Sequence, residues 1–115
     1  MNIRQTLITL ALGAILAPAL VADMRVSTSE AIKAATNKPQ PEYSPIARQM
    51  KVAGRVEIEV TIATDGTVES AKALSGNPLL TQTATATLKK WKFTPFTSNG
   101  EPTKAVAVLG FDFKP

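Results

Sequence analysis

The stretch from Ser75 to Pro95 constrains the fold most, because it carries the start and stop signals of a helix around one apolar stripe. Asn77 is a favourable N-cap residue, and Pro78 suits the first helical position. The stripe recurs at helical spacing and consists of Leu80, Ala84, Leu88 and Trp91. Pro95 prevents the helix from continuing. Since the segments on both sides look like strands, we expect this helix to cover one face of a small sheet.

The clearest strand in the sequence runs from Arg55 to Ile62, where apolar and polar residues alternate. A period of two places all the apolar side chains on one face of a strand and all the polar ones on the other. The apolar set consists of Val56, Ile58, Val60 and Ile62. We therefore predict a half-buried strand with a charged outer face.

Asp65 and Gly66 follow this strand and predict a hairpin, because glycine accepts a positive φ without steric cost. A two-residue turn would send Val68 to the outer face. A three-residue loop with a bulge at Gly66 would place Val68 opposite Ile62, and the pairing would then need a second irregularity. The residues that require this second irregularity are Ala71 and Ala73. We favour the bulged loop.

Two further elements complete the predicted domain. Ser44 and Pro45 repeat the helix-start signal and predict a short helix to about Lys51. The apolar residues that can share its face are Tyr43, Ile46, Ala47 and Met50. Lys104–Phe113 reads as a final strand with apolar odd positions. The order helix, strand, strand, helix, strand predicts an α+β fold in which two helices pack on a three-stranded antiparallel sheet.

The N-terminal residues divide the chain into three regions. Residues 1–22 combine a positive charge at Arg4, an apolar run and small residues at Ala19 and Ala22, which predicts a cleaved secretory signal peptide. An uncleaved membrane anchor over residues 5–22 is the alternative. Residues 23–37 are small and polar and predict a flexible leader. Residues 38–115 form the predicted domain.

Composition argues against several functions. The net charge of +4 falls to +3 without Arg4, and the one dense cationic group, around Lys90, fits a solvated helix end better than a nucleic-acid site. The chain has neither Cys nor His, so it lacks disulfides and the commonest general base and metal ligand. Glu57 and Glu59 lie on the predicted solvent-exposed face of a strand, where no pocket is expected that general acid–base catalysis would need. We therefore expect no enzyme, no cofactor, no bound metal and no small-molecule substrate.

Six segments together carry a resemblance to a known family. They are Tyr43–Arg48, Gly54–Val60, Asp65–Val68, Ser75–Leu80, Lys90–Pro95 and Phe111–Phe113. In this order they resemble the C-terminal domain of the TonB family, the periplasmic partner of outer-membrane transport receptors, over residues 38–115. Ser44 departs from the proline that the family usually has after the tyrosine.

The resemblance implies a periplasmic protein that binds peptides and takes part in transmembrane transport. In such domains, an extended receptor peptide called the TonB box pairs with an exposed strand edge, a mode known as strand addition. By position, the implied contact residues are Gln40, Pro41, Glu42 and Tyr43 before the first helix, and Val106, Val108, Gly110 and Asp112 on the final strand. The histidine-bearing membrane helix and long spacer of full TonB proteins have no counterpart, so we do not expect energy coupling.

Two alternatives to receptor binding remain open at this point. The edge of the final strand could pair with its own copy, which would make the protein a homodimer or a structural part of an envelope assembly. In such a dimer, Val106 and Val108 would face the partner strand. If the N-terminal segment is not removed, the protein is instead a short membrane-anchored component.

Overall fold

The computed structural model describes residues 23–114. Residues 1–22, which hold the predicted signal peptide, lie outside the described residues. The elements, in chain order, are β1 (Met24–Arg25), α1 (Thr28–Ala34), β2 (Ala35–Asn37), α2 (Pro45–Gln49), β3 (Gly54–Ile62), β4 (Val68–Ser75), α3 (Pro78–Leu88), β5 (Lys92–Phe93), β6 (Thr97–Ser98), β7 (Glu101–Pro102) and β8 (Ala105–Phe113). Within residues 23–114, no helix is long and apolar enough to cross a bilayer.

The main sheet has four strands in the order β1-β8-β3-β4. β3 and β8 are antiparallel and pair without a register shift, from Gly54 opposite Phe113 to Ile62 opposite Ala105. β4 is antiparallel to β3, whereas β1 is parallel to β8. The α+β class is therefore confirmed. The predicted three-stranded antiparallel sheet with two helices is wrong in detail, because the segment before Pro45 adds a parallel strand and a third helix.

Residues 23–37, for which the sequence predicted a flexible leader, contain β1, α1 and β2. β1 pairs with β8, and β2 pairs antiparallel with β5. Between them, the Ser27 side chain caps α1 by accepting a hydrogen bond from the Glu30 N–H at 3.2 Å. Ala31 is the buried residue of α1. These elements are held by backbone pairing, by the buried Ala31 and by the partly buried side chains of Val26, Ala34 and Ala35, and the sequence analysis identified no apolar stripe in this segment.

The core lies between β3, β8 and α3, as the apolar patterns predict. The inner face of β3 is fully buried and consists of Val56, Ile58, Val60 and Ile62. Leu80, Ala84 and Leu88 of α3 are buried against this layer. Each large aliphatic side chain contributes about 1.5–3 kcal/mol on burial. The helix ends at Leu88, so Trp91 belongs to the turn beyond it, although its indole is still buried.

The β3–β4 hairpin has the bulged loop that the sequence favoured. Val68 lies opposite Ile62, and the register shifts before Ala71 lies opposite Val60. Gly66 has a φ of 90°, a conformation that other residues rarely adopt. A Cβ atom there would lie 2.0 Å from a backbone carbonyl oxygen of β5. Glycine is therefore required at this position by both the turn and the close approach of β5.

Candidate functional site

The outward side of the last strand is divided into a covered half, Lys104–Val108, and an open half, Leu109–Phe113. In the covered half, the outward carbonyl oxygens all accept hydrogen bonds from the N-terminal segment. The pairs are Met24 N with Lys104 O at 2.9 Å, Val26 N with Val106 O at 3.0 Å, and Thr28 Oγ1 with Val108 O at 2.6 Å. Two of the residues predicted to receive a partner strand, Val106 and Val108, therefore already have intramolecular partners.

The open half contains the other two residues of the predicted edge, Gly110 and Asp112. Along a strand, every second residue directs its N–H and C=O to the same side, so these two face outward like Val106 and Val108. Among residues 23–114, no strand pairs with Gly110 or Asp112 on that side. Asp112 is exposed and Gly110 is half-buried. The open half thus presents donors and acceptors to an incoming strand.

Arg55 lies beside the open half and was not among the predicted site residues. It is opposite Asp112 in the β3–β8 register, and its Nη1 lies 3.2 Å from Asp112 Oδ2. The guanidinium also covers Gly110, where a Cβ atom would lie 2.3 Å from Arg55 Nη2. The pair could be recognised only once the register between the two strands was known. Arg55 therefore adds an exposed cation to the outer face of the open half.

Tyr43 connects the segment before α2 with the end of the last strand. Its ring packs edge-on against Phe113 at a centroid distance of 5.8 Å, and the Arg48 guanidinium lies 5.5 Å from the ring centre. Its hydroxyl donates a hydrogen bond to the Val52 carbonyl oxygen. The ring is therefore fixed next to the open half, while the hydroxyl is used inside the fold.

The rest of the predicted approach segment lies on the helical side of the domain. Pro39 is held by the Trp91 indole N–H, which donates to its carbonyl oxygen at 2.9 Å. Gln40 and Glu42 are exposed, whereas Pro41 is half-buried. A groove of about 760 Å³ runs between this segment and α3, and residues that line it include Gln40, Glu42, Ile46, Leu79 and Lys90. The structure therefore brings Tyr43 to the open half and places Gln40 and Glu42 on the groove.

The predicted apolar face of α2 is only partly buried. Ala47 packs in the core, but Ile46 and Met50 are 59% and 64% exposed. The helix has five residues, and Lys51 has a φ of 56°, so the chain turns away before a second helical turn could bury these side chains. As a result, Ile46 is available as apolar lining of the groove.

The opposite edge of the sheet is formed by β4 and is irregular. Its pairing with β3 contains two register shifts, one near each end. By the same alternation, Ala71 and Ala73 direct their backbone groups away from β3. Register shifts of this kind bend and twist a strand. The β4 edge is therefore a poorer template for an added strand than β8.

Several charged groups of the domain form ion pairs at the surface. Glu57 and Glu59 lie 3.7 Å and 3.6 Å from the guanidinium nitrogens of Arg55 and Arg25. The pKa of Asp65 is lowered by hydrogen bonds from Thr67 within the hairpin loop. In the described part of the chain, no three acidic, Cys or His side chains cluster as metal ligands. What the site offers is backbone pairing and surface charge.

Comparison with known proteins agrees with this geometry. The family described as Gram-negative bacterial TonB protein C-terminal matches residues 39–115. A search among curated proteins gives no match. The solution NMR structure of the Pseudomonas aeruginosa TonB C-terminal domain is similar, with 26% identity and a TM-score of 0.60 over 70% of this chain and 84% of that chain. Because the family match spans about two thirds of the sequence and the folds agree, this chain belongs to the family of TonB C-terminal domains.

Proposed function

We propose that this domain is a periplasmic binding module that holds an extended peptide of an outer-membrane transport receptor as an added strand along β8. The observation that carries the proposal is the unpaired outward backbone of Gly110 and Asp112 in a chain of the TonB C-terminal family. Family membership supports a protein-interaction role in the Gram-negative envelope that serves transport. The receptor peptide and the mode of pairing are our proposal.

Strand addition suits the open half for two physical reasons. β8 is paired with β3 over its whole length without a register shift, so its outward groups recur regularly at every second residue. An incoming strand would supply the missing hydrogen bonds, and its alternate side chains would then provide selectivity. This mode of binding requires no nucleophile, base or metal.

The proposal includes a second contact region at Gln40, Pro41, Glu42 and Tyr43. Gln40 and Glu42 are exposed on the groove against α3. Tyr43 joins this region to the open half, because its ring packs on Phe113. A receptor segment that leaves the strand edge at Phe113 therefore meets Tyr43 first.

The exposed Arg55–Asp112 pair gives this edge a means of charge selectivity. The two side chains are 53% and 61% exposed, so their mutual attraction contributes little to stability. Either partner can therefore turn to a charged residue of a bound peptide at small cost. We expect peptide binding to weaken with increasing salt when the peptide carries a charge next to this pair.

The test is an NMR titration of the ¹⁵N-labelled protein with a receptor TonB-box peptide. We expect the largest amide shift changes at Gly110 and Asp112, with a smaller change at Tyr43. The same peptide with a central proline is the control, since proline removes a donor from the added strand. Absence of changes at Gly110 and Asp112, or changes confined to Ala71 and Ala73 on β4, would contradict the proposal.

A series of N-methylated peptides tests whether backbone pairing carries the affinity. N-methylation removes one N–H donor and blocks close approach of the neighbouring strand on that side. If the peptide pairs as a strand, every second N-methyl group faces β8 and weakens binding, while those between have little effect. Equal effects at neighbouring positions would indicate that side-chain contacts, not strand pairing, hold the peptide.

Self-association through the same edge is the second candidate. It is favoured by the unpaired outward backbone of Gly110 and Asp112, which a second copy could fill. A continuous partner strand along Val106 and Val108 is blocked while β1 stays in place. Sedimentation at high micromolar concentration distinguishes the two candidates, because a monomer that binds the peptide excludes the dimer as the working form.

A further inference from the structure

The N-terminal segment already pairs with the edge of β8 that the proposed partner strand would use. β1 lies parallel to β8, with Met24 opposite Ala105 and Arg25 opposite Val106. The Met24 N–H donates a hydrogen bond to Lys104 O, and the N–H of Val26, the residue after β1, donates to Val106 O. Thr28 then extends the contact through its hydroxyl, which donates to Val108 O at 2.6 Å. The segment therefore occupies the same outward groups that an incoming peptide would need.

The attachment of this segment is small compared with the rest of the sheet. Two residues of β1 pair with β8, whereas the β3–β8 ladder extends from one end of β8 to the other. Arg25 is exposed, and Met24 and Val26 are half-buried. The Arg25–Glu59 ion pair joins side chains that are 69% and 32% exposed at 3.6 Å, so it adds little. β1 can therefore leave the sheet while the fully buried core residues stay in place, although the half-buried Val26 then loses its contact with the core.

α1, the element after β1, is held in place by contacts that do not involve β1. α1 is capped by Ser27, and Ala31 within it is fully buried. Detachment of β1 leaves both features in place, because neither depends on Met24 or Arg25. Val26 and Ser27 thus mark the hinge, and the short tether to α1 keeps β1 at a high local concentration near β8.

We propose that β1 is an intramolecular competitor for the edge of β8. The inference rests on the proposed function, since it concerns regulation of the same site. With β1 bound, a partner can pair only with the open half at Gly110 and Asp112. With β1 detached, the edge at Lys104 and Val106 is free as well, and a partner pairs along the whole edge from Lys104 to Asp112 once the Thr28 hydroxyl turns away from Val108 O. Binding of a long receptor strand is therefore coupled to release of the N-terminal segment.

The first experiment compares peptide binding by the wild-type protein and the Val26→Pro variant. Proline at this position removes the N–H that donates to Val106 O but leaves the Ser27 cap intact. We expect about three- to tenfold tighter binding of the TonB-box peptide, the range that one hydrogen bond accounts for. We also expect the peptide-induced shifts to extend to Val106 and Val108. Val26→Ala is the matched control, because it removes the side chain and keeps the N–H.

Thr28→Val supplies an independent variant of nearly the same shape. It removes the hydroxyl that donates to Val108 O, so it should tighten peptide binding by a smaller factor than Val26→Pro. Equal affinity and an unchanged set of shifted amides in both variants would overturn the inference and leave the proposed function standing. Weaker binding would overturn it as well, because β1 would then be part of the site. Failure of every variant to bind the peptide would overturn the proposed function and the inference with it.

Hydrogen exchange without peptide tests the inference separately from binding. If β1 detaches locally, the Val26 amide exchanges much faster than the Ile58 amide of the β3–β8 ladder. Both amides lie in hydrogen-bonded strand contacts, but Ile58 is fully buried in a central strand, whereas Val26 is half-buried at the sheet edge. Equally slow exchange at Val26 and Ile58 would mean that β1 leaves only when the whole domain unfolds, and the competitor role would be wrong.

Discussion

The two sides of the sheet are protected against unwanted strand pairing in different ways. On the β4 side, two register shifts distort the strand itself. On the β8 side, the ladder with β3 is regular throughout, and a separate segment, β1, covers its first half. Bulges and coverage are both common means of protecting sheet edges. The difference is that a register shift is permanent, whereas a two-residue strand can be removed.

This difference indicates which edge is suited to binding. An edge that must accept a partner needs evenly spaced donors and acceptors, which only the regular side retains. It also needs protection when no partner is present, which β1 provides over the covered half. We therefore expect substitutions on the β4 side to affect stability and substitutions on the β8 side to affect binding.

The largest expected effect is on stability at Gly66, in the hairpin that shapes the irregular side. Gly66→Ala places a Cβ atom against a backbone carbonyl oxygen at a φ of 90°, and neither can shift easily. We expect a loss of about 3 kcal/mol in the free energy of unfolding, measured in urea. The matched control is Gly110→Ala, where the added Cβ meets only the end of the exposed Arg55 side chain. A similar loss in both variants would contradict this account.

The next largest effect is expected on peptide binding. It is tested by placing one proline on the β8 edge and one on the β4 edge. Asp112→Pro removes an outward N–H in the open half, and its ring obstructs an incoming strand. We expect the TonB-box peptide to bind at least about tenfold more weakly, a change of about 1.4 kcal/mol measured by calorimetry. Asp112→Asn, which keeps the N–H, should retain most of the affinity. Ala73→Pro places the same change on β4, and an equal loss there would mean that the two edges do not differ.

The smallest expected effect is on stability. It concerns the ion pair between Lys104 and Glu69, which links the β8 side of the sheet to the β4 side. Lys104 Nζ lies 3.0 Å from Glu69 Oε1, and the hydrogen bond and charge of Glu69 raise the pKa of Lys104. The pair therefore contributes fully below the ordinary lysine pKa of 10.5 and is lost as pH rises through the raised pKa. We expect Glu69→Gln to cause a slight loss of stability at pH 7 that disappears in about 1 M salt, where charges are screened beyond about 3 Å. A loss that persists in salt would indicate a packing role instead.

Much of the domain could be predicted from residues whose chemistry acts locally. Asn77 and Pro78 define the start of α3, as their capping chemistry predicts. The hairpin register followed from Gly66 together with the need to keep Val68 on the inner face. These features depend on turn geometry and on the period of apolar residues, both of which are visible in sequence.

The features that escaped prediction depend on contacts between distant segments. Met24 and Arg25 form a strand only because the carbonyl oxygens of Lys104 and Val106 accept hydrogen bonds from the Met24 and Val26 N–H groups, and no pattern within β1 signals this. For the same reason, half of the predicted edge proved to be covered. Arg55 joined the candidate site only through its register opposite Asp112. Long-range pairing of short polar segments leaves little trace in a single sequence.

Intermolecular NOEs between the bound TonB-box peptide and the protein backbone test most directly whether the peptide pairs with β8. If the open half of β8 receives the peptide, cross-strand NOEs will connect peptide protons with Gly110 and Asp112. The outward residues of the other edge, Ala71 and Ala73, will show none. NOEs to Ala71 and Ala73 with none to Gly110 and Asp112 would place the peptide on β4 and contradict the account.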